Sequence, residues 1–204
     1  MKKSFNRKEL WLLYKYASKC KFILEVGSGR ESTYSLAEAA KKNNAKIISI
    51  DVDIRNIPLI ENVEFKIGWS VNYSDIIKVG EKGFIEHPDY EKFYKKRSFL
   101  DGRLAHKKFH LMKGETDLIR KSIEKTDIPL DFFFSDTGEY CGIAEWEIVK
   151  NKIITGGYFS CHDIYYPKSI KFFQVLELIE KDRRWEICVQ TRSKRGLLIA
   201  RKVL

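Results

Sequence analysis

The sequence predicts an α/β domain built on a largely parallel sheet, and three stretches carry that prediction. Phe22 to Asp53 reads strand, glycine turn, helix, strand, acid, which is the order of a βαβ nucleotide-binding unit. Asp131 to Asp163 follows a strand–helix–strand rhythm, with Asp136 after its first strand and His162-Asp163 after its second. Trp185 to Thr191 and Gly196 to Lys202 form the third signal, two strands joined by Arg192 to Arg195 as an antiparallel hairpin.

Residues 5 to 19 place Leu10, Leu13, Tyr14 and Ala17 at helical spacing with lysines between them, which predicts a helix covering the sheet. Phe22-Ile23-Leu24 is a short apolar run that ends on Glu25 and reads as a buried strand. Gly27-Ser28-Gly29 follows at once, and its two glycines let the backbone turn sharply and approach a ligand. Ser32 and Thr33 are expected to cap a helix over Tyr34 to Asn44, with Leu36, Ala39 and Ala40 on one face. Lys46 to Ile50 is the second strand, closed by Asp51 and Val52.

Beyond Asp53 two segments compete for the third core strand: Val63 to Ile67, ending at Gly68-Trp69-Ser70, and Lys108 to Met112, ending at Gly114-Glu115. The later one is preferred, because strand, glycine, acid and the helix-like Thr116 to Lys125 then precede a fourth strand. Residues 61–107 become an insertion over the site, within a single domain spanning 1–204. There Tyr90, Phe93, Tyr94 and Phe99 alternate with Lys92, Lys95, Lys96 and Arg97, with Arg103, Lys107 and Lys108 beyond. Such a surface can stack on rings and hold anions, or it can be an amphipathic cap helix with a solvated lysine face. Substrate selection is expected in this insertion.

Asp131 to Asp136 is the clearest strand of the second half, followed by Thr137-Gly138-Glu139-Tyr140. Ile143, Trp146, Ile148 and Val149 supply the apolar positions of a helix that Gly156-Gly157 terminates. Tyr158 to Cys161 is the next strand. Ser169 to Asp182 is the last helix, with Phe172, Phe173, Val175, Leu176 and Ile179 toward the sheet.

Composition narrows the class without naming a reaction. Hydrophobic residues make up 44% and charged residues 32% of 204, as in a globular domain. No run approaches transmembrane length, and Arg7, Lys8, Glu9 and Lys15 interrupt any secretory h-region, so a cytoplasmic protein with no membrane partner is expected. Cys20, Cys141, Cys161 and Cys188 are scattered without a C-x-x-C and read as reduced thiols. The net charge of +10 favours an anionic partner.

Glu25, two residues before the first glycine, would repel a diphosphate but could receive the cationic amino group of a methionine moiety. Asp51 is placed to accept both hydroxyls of a ribose. Together with Gly27 and Gly29 they resemble the S-adenosylmethionine (SAM) site of class I methyltransferases. E-V-G-S-G with S-T, the strand ending in Asp136 and G-G-Y-F-S-C-H-D together resemble the small-molecule O-methyltransferase branch, grouped with cephalosporin hydroxylase-like and macrocin-type enzymes. The resemblance implies a Rossmann-like, seven-stranded, mostly parallel sheet ordered 3-2-1-4-5-7-6 with helices on both faces. It implies SAM as cofactor, held by Glu25, Gly27, Ser28, Gly29, Ser32, Asp51, Val52, Gly114, Glu115 and Asp136.

In several relatives acids after strands four and five hold a divalent metal. Carried over, the candidates are Asp136, Asp163 and His162, whose donors would suit Mg2+ or Mn2+. The departures are Asp136-Thr137-Gly138-Glu139 in place of D-G-D or D-G-x-H, and His162-Asp163 in place of D-D, and they leave metal use open. Without metal, His162 is the expected general base beside Asp163 and Asp136, since imidazole titrates near neutrality. The expected partner is a hydroxyl acceptor, small or glycan-linked and compatible with negative charge; a homodimer is compatible with the same reading. The rival readings are an RNA methyltransferase and a SAM-fold binding protein without catalysis. The first lacks an N/D-P-P-Y/F motif after strand four, where Ser135-Asp136-Thr137-Gly138 stands, but ribose methylation stays open.

Overall fold

The structure, a computed structural model, describes residues 5–53, 60–76, 114–138, 141–165, 169, 171–193 and 195–204. Seven strands form one sheet: β1 Phe22–Val26, β2 Lys46–Asp51, β3 Glu64–Ile67, β4 Phe132–Ser135, β5 Tyr158–His162, β6 Trp185–Gln190 and β7 Leu197–Lys202. Their spatial order is β3-β2-β1-β4-β5-β7-β6, as expected. The pairs from β3 through β5 are parallel, and β7 runs against both of its neighbours.

Strands covered on both faces are buried at every position rather than at alternate ones, and β1, β4 and β5 are. Phe22, Leu24, Val26, Phe133 and Phe159 face one core with Trp146, Phe172, Val175 and Ile179. Ile23, Ile47, Phe132, Phe134, Leu197 and Ile199 face the other with Leu13, Ala17, Leu36 and Ala40. The second core is covered by α1 (Arg7–Ala17) and α2 (Arg30–Asn43). The first is covered by α4 (Leu118–Glu124), α5 (Gly142–Val149) and α6 (Phe173–Lys181); a single turn, α3 (Tyr73–Asp75), precedes α4 in the chain. The side chain of Phe173 lies outside the described residues.

The preferred third strand is corrected by the sheet: 64–67 pairs with β2, Ile48 opposite Glu64 and Asp51 opposite Ile67. β3 is an edge strand with no fully buried residue, and its charged Glu64 and Lys66 suit an edge while weakening the apolar signal. Residues 61–76 therefore belong to the core rather than to an insertion. The remainder of that expected insertion, and 108–112, lie outside the described residues. The two described flanks of 77–113 meet at the end of β3, where Gly68 bridges Glu115 and the Trp69 amide donates to the Glu115 carbonyl at 2.8 Å.

Two carboxylates fix the assembly from a distance. Glu9 closes a capping box with Asn6 and, fully buried, also accepts from Thr191 Oγ1 at 2.8 Å and from Ser193. It thereby fastens α1 to the turn of the C-terminal hairpin. Asp131 accepts the amides of Lys21 at 2.7 Å and Phe22 at 2.8 Å, setting the start of β1 against the start of β4. Leaving the buried Phe22 amide unpaired costs about 1–3 kcal/mol. Asp131→Ala is therefore expected to lower unfolding stability by about that amount, read as a lower urea midpoint with unchanged slope.

Candidate active site

The parallel register brings the carboxyl ends of four strands to one level. Val26 lies opposite Ile50 and Ser135, and Ser135 opposite Cys161, so Gly27, Asp51, Asp136 and His162 form a row. The chain leaves β1 toward β2 on one side and resumes at β4 on the other. That is the switch point where open α/β sheets bind ligands.

Gly27 makes the row possible. Its φ is +82°, and a Cβ there would lie 2.5 Å from the Asp136 carbonyl oxygen. Only glycine lets β1 turn this tightly against the end of β4. Its amide donates to the Ile50 carbonyl at 2.9 Å, and the Asp136 amide donates to the Val26 carbonyl at 2.9 Å. Gly29, not Ser32 or Thr33, is the N-cap of α2, so this helix starts at Arg30, four residues before the expected Tyr34. The earlier start puts the helix N-terminus directly on the glycine turn, where the helix dipole favours an electron-rich group.

Ser32 and Thr33 have other tasks in that first turn. The Thr33 hydroxyl accepts the Gly29 amide at 3.0 Å, and Ser32 donates to Glu25 at 2.8 Å. Glu25 also accepts from Ser49 at 2.6 Å, and Ser49 is 2.7 Å from Ser28. The carboxylate is wholly buried beneath the turn. There Glu25 takes hydroxyl donors from α2 and β2 and so ties β1, β2 and α2 into one cradle beneath the expected cofactor site. Asp51 is also largely buried, at the carboxyl end of β2. Its Oδ1 accepts the Asp53 amide at 2.8 Å, and Val52 beside it is half exposed. Gly114 and Glu115 stand further along, beside Gly68 at the end of β3, with Glu115 paired to Lys121 at 3.1 Å.

Asp136, His162 and Asp163 do converge, with one ligand atom from each within 4.8 Å of the others. His162 is fully buried and stacks on Phe5, ring centroids 4.1 Å apart. Its Nδ1 is 3.6 Å from Asp136 and 3.5 Å from Asp163, too far for hydrogen bonds, and neither ring nitrogen has a partner. The expected general base thus lies behind the carboxylates rather than at the surface. Glu139 and Tyr140 lie outside the described residues.

Two cations that the sequence reading passed over complete the cluster. Lys171 Nζ is 3.0 Å from Asp136 and 3.1 Å from Asp163, and Arg195 is 3.1 Å from Asp163. Burial pushes the Asp136 carboxyl up, but the Lys171 ammonium and the neighbouring His162 outweigh it and hold Asp136 below the usual carboxylate range. Both cations look like solvated charges in sequence, one before an amphipathic helix and one in a basic turn. Another missed acid, Glu145 on α5, is fully buried and accepts from Ser70 and Ser135 at 2.6 Å each and from Thr137 at 3.0 Å. Its only sequence signal was an acid inside an otherwise apolar helical stretch.

No family model matches the chain, and no curated protein matches it. Solved structures do. An O-methyltransferase from Bacillus cereus in complex with S-adenosylhomocysteine (SAH) is 15% identical, with 97% of this chain and 82% of that chain covered at a TM-score of 0.57. A methyltransferase from Geobacter sulfurreducens is 13% identical, with 98% and 80% covered at 0.58. The O-methyltransferase TomG from Streptomyces achromogenes, involved in tomaymycin synthesis and crystallised with SAM, is 15% identical, with 98% and 82% covered at 0.55. The chain has the Rossmann-like fold of class I methyltransferases.

Desolvation raises the Glu25 carboxyl to about 7, against hydroxyl bonds from Ser49, Thr33 and Ser32 that lower it. A carboxyl with a higher pKa folded than unfolded binds more protons when folded, so its stabilisation is complete below the ordinary glutamate range and is lost as pH rises through about 7. Relative to Glu25→Gln, the wild type is expected to lose on the order of 3 kcal/mol between pH 4 and 8. Urea denaturation of both proteins across that range checks the sign; parallel pH profiles would contradict it.

Proposed function

We propose that the chain is a SAM-dependent methyltransferase acting on a hydroxyl of a small-molecule or glycan-linked acceptor. One observation carries this reading. A glycine turn at the N-terminus of α2 stands next to Asp51 at the end of β2, with an ionised Asp136 across the switch point of a methyltransferase-fold sheet. SAM, when bound, supplies a sulfonium-activated methyl group. Gly27, Ser28 and Gly29 offer backbone to the cofactor, Asp51 binds the ribose hydroxyls, and Val52 offers apolar surface beside them. The solved neighbours bound to SAM or SAH support this choice of cofactor.

Methyl transfer to oxygen needs in-line placement and somewhere for the hydroxyl proton to go. Asp136 is the partly exposed member of its cluster and stays ionised near neutrality, so it accepts the acceptor's hydroxyl hydrogen bond. Asp163, being buried, holds Lys171 beside Asp136 rather than touching the acceptor, and His162 packs behind them.

The test is calorimetric titration with SAH, run beside NADH. Micromolar binding of SAH alone is expected, weakened about tenfold or more, roughly 1.4 kcal/mol, by Asp51→Ala. Unchanged affinity in the folded variant would remove Asp51 from the site. Binding of neither nucleotide would leave the non-catalytic reading in front.

A further inference from the structure

The donor set Asp136, His162 and Asp163 has the chemistry of a divalent-metal site, but the arrangement does not fit one, because a side-chain ammonium already stands there. Lys171 Nζ spans the two carboxylates, 3.0 Å from Asp136 Oδ1 and 3.1 Å from Asp163 Oδ2. Arg195 takes the same Asp163 Oδ2 from the other side at 3.1 Å. Two carboxylates therefore face the Lys171 ammonium and the half-exposed Arg195 guanidinium, and the cluster is balanced without an ion. A divalent cation would bring two further positive charges within a few ångströms of an ammonium, in a place largely shielded from water.

The lysine is built in rather than draped over the surface. Its side chain is 13% exposed, its amide donates to Ser169 Oγ at 3.2 Å, and the next residue, Phe172, is fully buried. Its backbone passes so close to the first turn of α5 that a Cβ on Gly142 would lie 2.5 Å from the Lys171 carbonyl oxygen. Asp163 is equally fixed, at a φ of +68° with its amide donating to the Gly196 carbonyl at 3.0 Å. The orphaned imidazole of His162 faces this pair and adds no charge when neutral.

We propose that Lys171 is the resident cation of this site and keeps divalent metal out of it. The consequence for the acceptor rests on the methyl-transfer reading above: a single oxygen is neutralised by an ammonium, so the acceptor need not present two adjacent hydroxyls for chelation. The exclusion of metal rests on the cluster alone.

Electron paramagnetic resonance of Mn2+ added to the purified protein tests the proposal without any acceptor or cofactor. Wild type is expected to leave Mn2+ free at millimolar concentration. Lys171→Met, and Lys171→Gln as a second variant that keeps a polar group, are expected to bind one Mn2+ about tenfold or more tightly than wild type. Adding Asp163→Asn to either should abolish that binding. The proposal is overturned by one tightly held Mn2+ in wild type that Asp163→Asn removes. It is equally overturned if whichever Lys171 variants keep a native circular dichroism spectrum bind Mn2+ no better than wild type. SAH titration of the same samples separates this outcome from failure of the methyltransferase reading.

Discussion

Four carboxylates crowd one end of the sheet, and each is buried enough to take its partners from within the protein. Glu25, Glu145, Asp136 and Asp163 belong to, or pack beneath, the ends of β1, β4 and β5. An isolated charge in such a place is prohibitively unfavourable, so the partners of these acids dictate much of the local architecture. Hydroxyls clasp Glu25 from β2 and α2, and clasp Glu145 from β4 and the segment after β3. The Ser32 and Ser70 bonds tie α2 and the segment after β3 to strands and helices with which their backbones do not pair.

The two ways of neutralising these acids have different electrical results. Hydroxyl donors leave the charge of the clasped pair uncompensated, and burial prevails: Glu25 is raised to about 7 and Glu145 is raised as well. Cation partners compensate the charge itself, and Asp136 is held down although burial pushes it up. One small region thus contains carboxyls displaced in opposite directions, a pattern that accompanies sites of chemistry. The fixed ion pairs do more for orientation than for stability, since a buried pair returns little net free energy.

Much of the frame was legible because its signals are local. Apolar runs with acids at their ends marked β1, β2, β4 and β5, and the glycine turn marked the switch point. The edge strand β3 was misjudged because an edge strand is half solvated and its pattern is weak. The start of α2 was misplaced because Ser32 and Thr33, good caps in isolation, are recruited by Glu25 and the Gly29 amide. The row Gly27, Asp51, Asp136 and His162 was legible as strand ends. Its electrostatics were not, because the deciding contacts are long-range: Ser70 is 75 positions from Glu145, and Lys171 is 35 positions from Asp136. Residue type and its place at a strand end marked His162 as a general base, and only packing against Phe5 shows how deeply it is buried.

The anchoring of Glu9 has a consequence in time. Its bond to Asn6 spans 3 positions, whereas its bond to Thr191 spans 182. During synthesis at about 5–20 residues per second, α1 would wait roughly 10–40 s after emerging before its second set of partners exists. Until then Glu9 can only cap its own helix, and the carboxylate stays hydrated. Its burial, and with it the docking of α1 onto the hairpin turn, belongs to the last act of vectorial folding.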